Sequence, residues 1–214
     1  MAVPTTYRKD RENILVNYNY TDIAEGTGMQ TFYALKASSY KLNQNAFVSS
    51  TKEIGTTPVV VGQAFDIDFD LSMFNTPKTI TGTAFIEFSQ YAKKTIDLGT
   101  HNMHSNVTFK IIHYDGTTET IIGQSESMEN YVGFDSQIIK QRKCIALNLT
   151  EKHFKKGDIL RLNIVASLSY GETGEKGIIV VGCDPLNRDG TYIKPSTDDM
   201  QTQLKLNIPF KLDL

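Results

Sequence analysis

The residues richest in chemistry lie in "DPLNRDGTYIKPSTDD", positions 184–199, with four aspartates, an arginine and two prolines. Closely spaced carboxylates can hold a calcium ion, but the D-x-[DN]-x-[DN]-G spacing fails here. Counting back from Gly190, Asp189 and Asn187 puts Pro185 where the first ligand belongs. Asp184-Pro185 and Asp189-Gly190 make tight turns instead. The expected role is an ordered contact loop. Arg188 and Tyr192 are residue types that anchor interfaces, and Ile193 is an apolar side chain set between polar ones. The alternative is a loop that merely closes the fold, with Arg188 paired internally to Asp184 or Asp189.

Three other groupings could do chemistry. Asp66, Asp68 and Asp70 lie on one face of a strand, spaced by about 6.7 Å, so one flat strand cannot direct all three carboxylates at one ion. A solvated face is the better reading, and a contact with a metal or a basic partner is the alternative. His101 and His104 lie between a turn and a strand, with no cysteine or carboxylate near enough in sequence to complete a metal shell. Cys144 and Cys183 both sit in apolar, strand-like runs and are expected as buried thiols. No P-loop, H-E-x-x-H, G-x-S-x-G or G-x-G-x-x-G is present. No catalytic residue, metal or cofactor is therefore expected, and the chain reads as a non-enzyme.

The elements that carry these residues have a period of two. Leu204, Leu206, Ile208, Phe210, Leu212 and Leu214 alternate with polar residues and Pro209. Pro209 marks an edge strand, a bulge or a break. Phe65, Ile67 and Phe69 alternate with the aspartates, with Leu71 and Met73 continuing their row. The rows Leu160–Leu168 and Val107–Ile111 are similar. Further strands are expected over 29–37, 45–50, 58–62, 83–91, 119–126, 143–149 and 177–183, and one helical turn over 151–155. The run "IIVVGC" is apolar on both faces, as in a central strand or one covered by a partner. Asp115-Gly116 signals a hairpin. Many short strands and no long helical period imply an all-β antiparallel sandwich, in particular a jelly roll. Residues 24–214 form one domain. Residues 1–23 read as an arm whose Tyr18 and Tyr20 are expected to meet a neighbouring subunit.

The chain has 214 residues and a net charge of −2, so the basic excess of a nucleic-acid binder is missing. No apolar run reaches the ~18 residues of a membrane-spanning helix, and no signal-peptide core is seen at the N-terminus. Neither a nucleic-acid nor a membrane partner is expected.

"GCDPLNRDGTYIKPSTDDMQTQLKLNIPFKLDL" resembles the C-terminal end of a family of tailed-phage virion structural proteins. "GTGMQTFYAL", "FDIDFDLSMFNTPKTITGTAFIE" and "HFKKGDILRLNI" are similar to that family in the same order. The resemblance implies a non-enzymatic β-sandwich subunit of a virus particle, made in the host cytoplasm. It would decorate a capsid or build a neck or tail through contacts with itself as a homo-oligomer and with other virion proteins, such as the major capsid protein. The alternative is a carbohydrate-binding module for host or glycan recognition, using Tyr91, Tyr114, Tyr131, Tyr170 and Tyr192.

Overall fold

The computed structural model describes residues 27–96, 103–132, 138–169 and 174–211. Tyr18, Tyr20, His101 and Tyr170, with the expected arm, lie outside them. The described residues form an all-β fold with no helix. In chain order the strands are β1 (Thr27–Lys36), β2 (Tyr40–Asn43), β3 (Glu53–Ile54), β4 (Val59–Val60), β5 (Gly62–Asp70), β6 (Lys78–Ile96) and β7 (Met103–Tyr114). There follow β8 (Glu119–Gln124), β9 (Met128–Val132), β10 (Ile139–Phe154), β11 (Ile159–Ser169), β12 (Lys176–Gly182) and β13 (Lys205–Lys211).

Two layers face each other. In one, β10 lies along one side of β6, while β13 and β12 share its other side; β1 follows β13, and β2 follows β1. In the other, β11 lies between β5 and β7, and β7 carries β8 and β9. All these pairings are antiparallel. A single parallel bridge, Lys41↔Asp70, joins the layers through β2 and β5. The core between them takes one residue in two from each strand. Phe32, Phe69, Phe88, Phe109, Ile86, Leu162, Ile164, Leu206 and Ile208 are all fully buried in it.

The alternation in the sequence is realised, with corrections. Residues 45–50 form no strand, and only Val59 and Val60 of the run 58–62 form a separate one. The expected helical turn at 151–155 is instead the end of β10, paired through Phe154↔Lys78. The strand at 65–70 stops at Asp70, so Met73 is exposed and not part of the inner row. Cys144 is exposed, because β10 has β6 as its only ladder partner among the described residues and turns alternate side chains outward. Cys183 is buried, and burial pushes its thiol up to about 12, away from any reactive thiolate. Pro209 sits where the β13–β6 register shifts between Asn207 and Phe210, which is the bulge reading. The β10–β6 register shifts beside the same place, at Gly82. Gly82 has φ +107° and would carry a Cβ 3.4 Å from the Pro209 ring, so glycine suits the kink in both respects.

Two turns are fastened by carboxylates. Asp115 accepts the Thr117 and Thr118 N–H groups, and these bonds hold its carboxyl down to about 2. Asp158 accepts from His113 Nε2 at 2.6 Å and from the Lys155 N–H at 2.8 Å. Burial raises the Asp158 carboxyl, but the two bonds outweigh it and the net shift is downward.

Two outcomes follow. Leu206→Ala should cost about 2–5 kcal/mol in a urea titration, whereas Lys205→Ala should cost under about 1 kcal/mol. Equal losses would show the register to be wrong. Asp115 is depressed on folding, so its contribution is present above its ordinary value and lost as pH falls through about 2. The melting-temperature gap between the wild type and Asp115→Asn should be open at pH 6 and closed at pH 2.

Candidate functional site

Strand β12 places Ile179 and Val181 in the main core, while Ile178 and Val180 point the other way. Their outer face is covered by the chain that leaves β12. Ile193 and Met200 pack with Ile178, Val180 and Tyr91 in a second, smaller core, and the Tyr192 ring lies 4.8 Å from that of Tyr91.

Three carboxylates shape this 184–199 loop. Asp184, fully buried, accepts the Arg188 N–H at 3.0 Å and Arg188 Nε at 2.8 Å, and it raises the guanidinium's affinity for its proton. Arg188 also donates to the Ser49 carbonyl at 2.8 Å. Glu53, buried on β3, accepts the N–H groups of Thr191, Tyr192 and Ile193. Asp189 accepts the Ser196 N–H at 3.1 Å and the Ser196 hydroxyl. Asn187 takes the left-handed conformation at φ 54°, and its Oδ1 accepts the Thr202 N–H.

The expectation for this loop is corrected at Ile193. That side chain is fully buried inside its own chain and has no surface for a partner. Arg188 is paired internally, as in the closure reading, and Tyr192 is half-buried on Tyr91.

The second grouping lies on the outer face of the other layer. Asp66 and Asp68 are exposed on β5, as expected of a solvated face, and the neighbouring strand β11 answers them. Asn163 Nδ2 donates to Asp66 at 2.6 Å and to Asp68 at 2.8 Å. Arg161 donates to both oxygens of Asp70, at 2.6 and 2.9 Å, and bridges to Asp68 and Glu119. Its guanidinium also lies over the Tyr114 ring at 4.7 Å. The Asp70 bonds come first in pushing the Arg161 pKa further up. This array is a charge network; among the described residues no group of three or more His, Cys, Asp and Glu could hold a metal ion.

His104 is the one histidine of its pair that the structure describes. Its Nδ1 lies 2.6 Å from Glu129 Oε1, with the Tyr131 ring edge-on at 5.7 Å. Ser169 on β11 is the ladder partner of His104. The Ser169 hydroxyl accepts a bond from Asn106 Nδ2 at 2.8 Å. Of the described tyrosines of the glycan reading, Tyr91 and Tyr192 stack together, with Tyr91 buried under the loop, while Tyr114 and Tyr131 lie apart from them at opposite ends of the other layer.

An open cleft of about 740 Å³ lies where β2 meets β5 and the segment after it. Tyr40, Lys41, Asn43, Asp68, Asp70 and Met73 are among its lining residues. Neither this cleft nor the roles of Glu53, Arg161 and Asn163 are visible in the sequence. Alternation puts Arg161 and Asn163 on an outer face, but only strand pairing sets them against the aspartates.

No protein-family model and no curated protein matches the sequence. Solved structures share the fold. An α-amino acid ester hydrolase superposes with a TM-score of 0.53 at 12% identity, over 84% of this chain and 36% of its own. An aminopeptidase from a marine sediment Thaumarchaeota archaeon gives 0.54 at 8% identity, over 86% of this chain and 37% of its own. The chain thus spans little more than a third of the length of these structures. The VP2 subviral particle of infectious bursal disease virus reaches a TM-score of only 0.26. At such identities the likeness shows the fold alone. What survives of the virion resemblance is the β-sandwich. The expectation of a non-enzymatic virion subunit is corrected: the ester hydrolase and the aminopeptidase both superpose above 0.5, so this fold is one that enzymes carry.

The loop's fastening can be tested at Glu53. A buried polar group left unpaired costs about 1–3 kcal/mol. Glu53→Ala, which strands three N–H groups, should lower the denaturation midpoint clearly and open 184–199 to limited proteolysis. Glu53→Gln retains an acceptor and should cost less. Loss of stability without new cleavage in the loop would argue against this role.

Proposed function

We propose that this chain is the β-sandwich part of a hydrolase that acts on ester or amide bonds. One observation carries the reading. The sandwich matches, over most of its length, about a third of an ester hydrolase and about a third of an aminopeptidase. The rest of the hydrolytic machinery would lie in chain or subunits beyond this sandwich. The loop over β12 and the charge network on β11 would then give the module rigid outer surfaces against which such machinery is set.

The test uses material from the native source. Antibodies against the folded chain are used to isolate it, and the isolate is assayed with an amino-acid ester and an aminoacyl anilide. Hydrolysis of at least one substrate that follows this chain through size-exclusion chromatography is the expected result. An isolate that contains the intact chain and cleaves neither substrate would overturn the proposal.

A further inference from the structure

We propose that the edge of β5 with no ladder partner among the described residues accepts an extended segment of a partner chain, bearing lysine or arginine at alternate positions, as an added strand beside residues 62–69. Strand β5 is nine residues long and pairs with β11 along its length. On its other side the ladder contains a single position, Lys41↔Asp70. From Gly62 to Phe69 that side has no ladder partner among the described residues. An unpaired edge presents a row of N–H and C=O groups, and extended segments add to such edges through main-chain hydrogen bonds. Alternate side chains then decide which segment is admitted.

The side chains beside this edge select by charge. Asp66 and Asp68 are both exposed and stand about 6.7 Å apart, the spacing of alternate residues on an added strand. Among the described residues Asp66 meets only the neutral amide of Asn163, and Asp68 shares one guanidinium with Asp70 and Glu119. Arg161 therefore leaves negative charge at the edge uncompensated. Asn163, which is 6% exposed, has an Oδ1 with no hydrogen-bond partner among the described residues beneath the two carboxylates. A second copy of β5 would set aspartate against aspartate, which disfavours self-pairing, whereas a basic strand meets opposite charge at the two alternate positions Asp66 and Asp68. The cleft between β2 and β5 lies at the end of the same lane, giving the added segment room to leave.

The probes are two nine-residue peptides, alternating threonine with lysine or threonine with glutamate. Hydrogen exchange of the full chain is followed by mass spectrometry as each is titrated. The lysine peptide should slow exchange within 62–70, and the glutamate peptide should not. Asp66→Asn with Asp68→Asn should weaken the lysine peptide about threefold to tenfold, and raised salt should weaken it in the wild type. Asp66→Asn alone leaves every contact of Arg161 in place and should show a smaller loss, so a folding defect in the double variant does not decide the result. No protection at 62–70, equal protection by both peptides, or full binding by both variants would overturn the proposal.

Discussion

Strand β12 is apolar on both faces, and this constraint shapes the half of the molecule around it. Ile179 and Val181 are satisfied by the core between the layers. Ile178 and Val180 would meet water on the far side unless something covered them. The chain after β12 does so, with Ile193 and Met200 as its apolar contribution. A covering loop brings its own backbone polar groups, which cannot be left unpaired beneath it. Carboxylates supply the missing acceptors: Asp184 at the loop's start, Glu53 under its middle, and Asp189 across its turn. Asp184 and Asp189 of the 184–199 loop are thus tied to hydrogen bonding within the chain.

The other layer solves a different problem. Its outer face is polar, and its charges are joined across strands. Arg161 is the hub, reaching Asp68 and Asp70 on one side and Glu119 on the other. Such exposed pairs add little stability one at a time. Their greater consequence is local: they hold the side chains of three strands, β5, β8 and β11, in one array on this face. The interior also changes character along its length. Toward the end where β7 begins, Gln90 donates to Ser105, Asn130 to Gln90, and Lys143 to Asn130. Burial pushes the Lys143 ammonium toward its neutral form, and Lys94 pairs with Glu175 in the same interior. Buried polar groups of this kind fix register at some expense in stability.

A sandwich that matches hydrolases at 8–12% identity shares their packing scheme and not their side chains. One arrangement of strands can host many functions, so what this chain does rests on its surfaces. The covered face of β12, the charged face of β11 and the edge of β5, which over 62–69 has no ladder partner among the described residues, are three surfaces with distinct chemistry, and the fold likeness specifies none of them.

The sequence by itself determined the layer class and much of the core. Alternation at 204–210, 65–69, 107–111 and 160–168 dictates which side chains turn inward, because successive residues of a strand point to opposite faces. It also flagged the two-faced run at 178–183 as a strand needing cover. Only the tertiary structure decided what provides that cover, and with it that Ile193 is core and Arg188 an internal partner. Cys144 shows the same limit: an apolar run says strand, but exposure depends on whether a neighbour lies on both sides. Asn163 and Arg161 meet the aspartates through the β11–β5 register, across some 90 or more residues of chain. Period two fixes the face a residue occupies and says nothing of its neighbour in the next strand, so such contacts exist only once strands are paired.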